Sequence, residues 1–196
     1  MGLIRKQVIL VGDSGCGKSA LALRLTHALF AESYIPTAFE SLTTDIETSH
    51  GNTKLTIQDI SGAKERKEVR KLAYEGCDIV LLCFDLTDRS TYESVETRWV
   101  PEITSVSPGI PVFIAGCKSD AVEDVEVVTE QQIEELVVKI GAAGYMKCSA
   151  LTNENVERIF QDSLEAKVPK QKTNIKKVID TVKTTRKSIR RMYGNI

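Results

Sequence analysis

No stretch of the chain approaches the roughly 18–20 consecutive apolar residues that a bilayer-spanning helix needs, so no segment reads as a membrane span. Histidine is scarce: His27 and His50 are the only two, at no spacing that suits a metal. The five cysteines, Cys16, Cys77, Cys83, Cys117 and Cys148, are odd in number and form no C-x-x-C pair. That pattern argues against a disulfide framework and against a thiolate metal site. Cys83 and Cys117 fall inside apolar strand patterns, where a reduced thiol behaves as a small hydrophobe, so a reducing, cytoplasmic setting is expected. The N-terminus, Met1-Gly2-Leu3-Ile4-Arg5-Lys6, runs straight into a strand pattern without a signal-peptide layout. Lys6 stands where a myristoylation signal wants Ser or Thr. Repeats and low-complexity runs are also missing. The 196 residues are 42% hydrophobic and 27% charged, which fits one folded domain with an appendage and rules out wholesale disorder.

Charge is balanced overall, at −1, but unevenly placed. Residues 167–196 hold ten basic residues against Asp180 alone, while the rest of the chain is strongly acidic. Pro169 divides the two parts, and the expected domains are residues 1–168 and a basic tail, 169–196. Ile175, Val178, Ile179, Val182, Ile189 and Met192 recur at near-helical steps, with Lys176, Lys177, Lys183, Lys187 and Arg191 on other faces. Residues 170–192 therefore predict an amphipathic segment suited to an anionic membrane. Packing of the same stripe on the acidic globule, or on RNA, is an alternative; no DNA partner is expected.

Strand and helix patterns alternate along the rest. Arg5–Val11, Leu42–Glu47, Lys54–Asp59, Asp78–Asp85, Pro111–Cys117 and Tyr145–Cys148 read as strands, with a turn at His50-Gly51-Asn52. Asp78–Asp85 is almost continuously apolar, as in a strand buried on both faces of a parallel sheet. Helices are expected over Gly17–Ala28, Ser90–Val106, Glu130–Ile140 and Asn155–Ala166, the last capped by Thr152 or Asn153. The alternation predicts an α/β fold, a mostly parallel six-stranded sheet with helices on both faces.

The strongest motif is Gly12-Asp13-Ser14-Gly15-Cys16-Gly17-Lys18-Ser19, which matches G-x-x-x-x-G-K-[ST] between a strand and a helix. Small residues let backbone N–H groups wrap phosphates, and the helix N-terminus adds positive potential. Lys18 is placed to reach the β- and γ-phosphates and the Ser19 hydroxyl to bind Mg²⁺. The loop alone does not choose a base. Lys118-Ser119-Asp120 follows a strand, and a carboxylate at Asp120 can accept hydrogen bonds from guanine N1 and N2, donors that adenine lacks. K-x-D by itself is a weak signal; Cys148-Ser149-Ala150 after the next strand strengthens it.

With these motifs in order, residues 5–166 resemble the Rho family of small GTPases. The resemblance implies the P-loop small G-protein fold, GTP or GDP with Mg²⁺ as ligands, and effectors bound through Tyr34–Glu40 and Gly62–Leu72. It makes Tyr34-Ile35-Pro36-Thr37-Ala38-Phe39-Glu40 the first switch, with Tyr34 at the nucleotide and Thr37 on Mg²⁺ and the γ-phosphate. Asp59-Ile60-Ser61-Gly62 matches D-x-x-G of the second switch, with Asp59 holding Mg²⁺ through water and the Gly62 amide meeting the γ-phosphate. It also assigns guanine contacts to Cys117, Lys118, Asp120, Ser149 and Ala150. Trp99-Val100-Pro101-Glu102-Ile103 and Ile140-Gly141-Ala142-Ala143-Gly144-Tyr145-Met146 look Rho-like. A monomer, cytoplasmic or peripheral on the cytosolic face of a membrane, is expected.

The chain departs from that family at chemically decisive positions. Ala63 stands where a Gln usually orients the attacking water, and Ser14 where a Gly leaves room for the γ-phosphate and an arginine finger. No catalytic set is intact, so very slow hydrolysis is expected, as in the Rnd subgroup, which the Ser-Gly, Ser14 and Cys-Lys-Ser-Asp motifs resemble. Cys117 replaces the Asn that ties the base loop to the phosphate loop. Only 27 residues separate Asp120 from Cys148, too few for the family's insert helix. The chain ends Arg190-Arg191-Met192-Tyr193-Gly194-Asn195-Ile196 without a C-a-a-X cysteine, so prenylation is not expected. Three readings stand: a mainly GTP-bound signalling switch, a GTPase cycling with an assisting partner, or a pseudo-GTPase scaffold nearly empty of nucleotide.

Overall fold

A computed structural model describes residues 4–30, 38–121 and 128–166. Six strands, β1 (Ile4–Val11), β2 (Phe39–Thr48), β3 (Gly51–Ile60), β4 (Ile79–Asp85), β5 (Val112–Cys117) and β6 (Gly144–Cys148), form one sheet. The order across it is β2-β3-β1-β4-β5-β6; β2 runs antiparallel to β3 and every other pair is parallel. The six-stranded, mostly parallel α/β architecture read from the sequence is the one present.

Successive residues in the central strands feed two separate cores. Val8, Leu10, Ile79, Leu81 and Cys83 point to one face, under α1 (Lys18–His27) and a C-terminal helix, Val156–Glu165. Ile9, Val11, Val80, Leu82 and Phe84 point to the other, because side chains alternate along a strand. That second face is covered by α2 (Lys67–Tyr74), by α3 (Arg89–Ser94) and α4 (Val100–Val106) and by α5 (Glu130–Ile140); the C-terminal helix is α6. All seven residues of β4 are buried, which is why its sequence lacks a polar alternation.

Several elements depart from expectation. The β2–β3 turn is Ser49-His50, one step earlier than predicted, because Gly51 already pairs with Thr48. The helix expected over Ser90–Val106 is two helices joined by a π-helical turn, Val95–Trp99. Neither Thr152 nor Asn153 caps α6; Asn155 holds that position in a left-handed conformation (φ 56°), its amide donating to the Lys147 carbonyl at 2.9 Å. Helix α2 and the 3₁₀ turn Lys64–Arg66 before it were not foreseen. Helix α5 has its expected bounds, with Thr129 and Gln132 forming a reciprocal capping box. The tail, 169–196, lies outside the described residues.

Beneath α2 lies a buried ion pair. Arg70 is 1% exposed and forks onto Glu102 of α4, Nε to Oε1 at 2.7 Å and Nη2 to Oε2 at 3.0 Å. Tyr74 donates to the same carboxylate at 3.2 Å, and Arg70 stacks 4.9 Å from the Trp99 ring. Burial alone would raise the Glu102 pKa, but the Arg70 guanidinium and Tyr74 hydroxyl outweigh it and hold it below the ordinary 4.5. A carboxylate with a depressed folded pKa adds stability that is complete above its unfolded pKa and fades as pH falls through the folded value. Glu102→Ala strands the Arg70 charge and should cost about 3–5 kcal/mol near pH 7. Urea unfolding of both chains should show that gap narrowing below about pH 4.5. A loss under about 1 kcal/mol at pH 7 contradicts the assignment.

Candidate functional site

Loops at the carboxyl ends of β1, β3, β4, β5 and β6 converge on one edge of the sheet, where open α/β sheets hold ligands. The first is Gly12–Ser19, between Val11 of β1 and Lys18 of α1. Gly12 (φ 150°) passes so close to β4 that a Cβ there would meet the Cys83 carbonyl oxygen at 2.1 Å. Only glycine fits. Cys16 is fully buried below the loop, its Sγ 3.4 Å from the same carbonyl, and burial pushes its thiol up to about 12. Asp13 and Ser19 are half-buried, and Ser14 and Gly15 are exposed.

Lys18 is 95% buried yet folds its ammonium back over the loop, donating to the Asp13 carbonyl at 2.7 Å. An ammonium at a helix N-terminus is a cradle for an anion. Ser19 is the second residue of α1. Asp59, 1% exposed, lies at the end of β3 in register with Leu10 of β1. Hydroxyl and carboxylate oxygens at a phosphate loop are hard donors, the set that Mg²⁺ takes, so Ser19 and Asp59 fit that ion. Tyr34 and Thr37, the other two predicted contacts, lie outside the described residues, as does most of the first switch.

The second switch is packed onto the phosphate loop. A Cβ on Gly62 would sit 2.3 Å from the Gly12 carbonyl oxygen and 2.9 Å from the Ser14 nitrogen. Two arginines that sequence reading missed hold it there. Arg70 donates to the Ser61 and Ala63 carbonyls, each at 2.8 Å. Arg98, on the π turn, bonds the Asp13 carboxylate at 2.9 Å and also the Gly62 carbonyl, with its guanidinium 4.1 Å from the Trp99 ring. All three carbonyls of Ser61-Gly62-Ala63 thus face a guanidinium. Ala63 carries only a methyl group, and its amide is turned onto the Ser61 hydroxyl at 3.2 Å.

On the base side, Lys118 (φ 63°) bonds Asp85 at 2.5 Å. Asp120, in the 3₁₀ turn Ser119–Ala121, accepts from the Ser149 hydroxyl. Ser119 reaches Glu154 at 2.6 Å, and the Ser149 amide donates to the Glu154 carbonyl. Lys118–Asp120 and Ser149–Ala150, 29 residues apart, are therefore one unit. Cys117 is in register with Cys148 and presses on Gly17, whose Cβ would lie 3.0 Å from that of Cys117. Bonds from Cys148 and Cys83 lower the Cys117 pKa, and the pKa values of those two donors are raised, through their bonds to Cys117 and burial. The described residues hold no cluster of three or more His, Cys, Asp or Glu fit to bind a metal, and no helix long and apolar enough to cross a membrane.

The other residue missed in the sequence is Arg24 of α1. Its side chain spans to the far side of the site and bonds the Ala150 and Leu151 carbonyls at 2.6 and 3.0 Å. Nothing local marks it, since its partners are 126 and 127 residues away. Arg98 is equally silent in the sequence. Arg70 and Tyr74 do share the helical i, i+4 spacing that places two side chains on one face, a signal that could have found α2.

Residues 7–168 match the Ras family. Among curated proteins, the chain is 33% identical over 175 residues to the human Rho-related GTP-binding protein RhoD, covering 84% of this chain and 83% of that one. It is 31% identical over 196 residues to GTP-binding protein RHO1 of Saccharomyces cerevisiae, with 94% of each covered. GTP-binding protein rho1 of Schizosaccharomyces pombe is 29% identical over 194 residues, 93% of this chain and 96% of its own. The chain belongs to the Ras family, and it is a small GTPase of the Rho type.

Proposed function

We propose that this chain is a guanine-nucleotide-binding signalling switch of the Rho type, held mainly in its GTP form by very slow hydrolysis. Similarity to proteins named GTP-binding supports the ligand, as does the phosphate loop with Lys18 folded over it. Gly12–Ser19 would cradle the phosphates, Asp120, Ser149 and Ala150 the base, and Ser19, Thr37 and Asp59 would hold Mg²⁺, which when bound offsets phosphate charge.

The observation that carries slow turnover is Ala63. Its methyl group can neither accept nor donate a hydrogen bond, and its amide and carbonyl are already engaged by Ser61 and Arg70. No side-chain group at that position can orient a water molecule. Ser14 adds an exposed hydroxymethyl group beside Gly62, in the space where charge develops in phosphoryl transfer. Relatives with the Gln in place hydrolyse GTP unaided at only about 10⁻⁴ s⁻¹, and this chain should be slower. Both departures support the Rnd-like reading, in which effectors meet an ordered second switch, Gly62–Leu72, together with Tyr34–Glu40. The short Asp120–Cys148 interval supports a relative without the insert helix. The basic tail would supply attachment to the cytosolic face of a membrane.

Chromatography of the nucleotide released from purified chain should show mainly GTP; GDP points to assisted cycling and an empty site to a scaffold. Lys18→Ala and Asp120→Ala should each abolish retention, and normal retention in either contradicts the site. Ser14→Gly with Ala63→Gln should raise single-turnover hydrolysis measurably, whereas an unaltered rate removes these two positions from the explanation.

For the tail, full-length chain should sediment with vesicles rich in anionic phospholipid at low salt and release as salt rises. A chain ending at Val168 should stay in solution. Equal sedimentation of both assigns the contact elsewhere.

A further inference from the structure

The loss of Asn at position 117 leaves a mechanical question open. The base unit around Asp120 and Ser149 and the phosphate loop must keep a fixed spacing if both are to grip one ligand. Cys117 lies against Gly17, where a Cβ would sit 3.0 Å from the Cys117 Cβ and 3.4 Å from its Sγ, but the hydrogen bonds of the thiol stay among the strands, to the Ala115 carbonyl at 3.9 Å and toward Cys83 and Cys148. Contact is not a tie: a thiol is a weak donor and a weak acceptor.

Arg24 spans that gap by another route. It sits two turns into α1, whose first residue is Lys18, so about 9 Å of regular helix separates it from the phosphate loop. Its planar guanidinium spends its donors on three backbone carbonyls: Nε on Ala150 at 2.6 Å, Nη2 on Leu151 at 3.0 Å and Nη1 on Ala28, the C-cap of α1, at 3.1 Å. The Phe30 ring centroid is 5.9 Å away. Such charge-assisted bonds are stronger than neutral ones, and the planar fork is pre-organised for them. Ala150 comes directly after Ser149, whose hydroxyl bonds Asp120. The linkage therefore runs unbroken from Lys18 through α1, Arg24, Ala150 and Ser149 to Asp120.

We propose that Arg24 is a positioning residue for guanine nucleotide, a strut that locks the base loop to the phosphate-loop helix and substitutes for the tie lost at Cys117. This rests on the nucleotide-binding reading above. Arg24 need not touch the ligand; it sets the distance between the two loops that do. Because it acts on the base side, its effect should be the same for GDP and for GTP, unlike any contact made through the second switch.

Dissociation of fluorescent GDP and of a fluorescent non-hydrolysable GTP analogue from the full chain, in excess Mg²⁺, tests this. Arg24→Ala removes two charge-assisted bonds to the base loop and should speed release of both nucleotides about tenfold. Arg24→Lys keeps a charge but not the fork and should fall between. Cys117→Asn in the otherwise unchanged chain alters a base-site residue, so its own release rates are the reference for the double change. In the Arg24→Ala chain the same Cys117→Asn change should recover most of the lost retention, which a merely structural role in folding α1 would not allow. The thermal melts of both Arg24 chains are read alongside, and Arg24→Lys serves if Arg24→Ala does not fold. Release within twofold of the parent for Arg24→Ala, acceleration of one nucleotide only, or failure of Cys117→Asn to restore retention each overturns the strut. A parent chain that retains no guanine nucleotide overturns the underlying reading instead, and the strut with it.

Discussion

Close approach of backbone to backbone at one edge of the sheet constrains everything else in this molecule. Gly12 lies against the Cys83 carbonyl and Gly62 against the carbonyl of Gly12, at spacings that leave no room for a methyl group. Three chain segments, from β1, β3 and β4, are thereby stacked with nothing between them. That stacking depends on parallel strands ending at the same level, which depends in turn on β4 being buried along its whole length. The apolar run Ile79–Asp85 is thus as much part of the site as the glycines, although it touches no ligand.

Held so tightly, polar backbone at the edge must still find partners. The chain meets this with arginine. Arg70 and Arg98 take the carbonyls of Ser61, Gly62 and Ala63, and Arg24 those of Ala150 and Leu151. Each guanidinium is itself anchored, Arg70 by Glu102, Arg98 by Asp13 and Arg24 by the end of its own helix. Trp99 lies between Arg70 and Arg98 and presents a face to both. The loops are positioned by arginine side chains that lie along helices, none of them among the residues assigned to the ligand.

This division explains what was legible in the sequence. Contiguous signals were plain: the glycine spacing of Gly12–Ser19, the apolar run of β4, the helical pattern of Glu130–Ile140. Residues whose role is local could be named one by one, and Asp59, Gly62 and the Asp120–Ser149 pair all came to the same edge. What stayed hidden acts across distance. An arginine at 24 looks like any exposed helical residue until the fold brings Ala150 beside it, and Glu102 looks like surface charge until Arg70 covers it. The β2–β3 turn was misplaced by one residue and the α6 cap by two or three, since Gly51 pairs with Thr48 and Asn155 takes the cap position in a left-handed conformation.

The π turn at Val95–Trp99 has a consequence for how this protein can change over time. Such a turn holds one residue more than regular helix needs, and each residue rotates the remainder of a helix by about 100°. Losing one position there would swing Glu102 about a quarter-turn away from Arg70, while Pro101 at the start of α4 has no N–H to give to a regular helix. Arg98 and Trp99 within the turn are held by their own contacts as well, so its length and these two side chains are constrained together. An insertion or deletion of one residue in this stretch would therefore part Glu102 from Arg70, and with it loosen the hold on the Ser61 and Ala63 carbonyls.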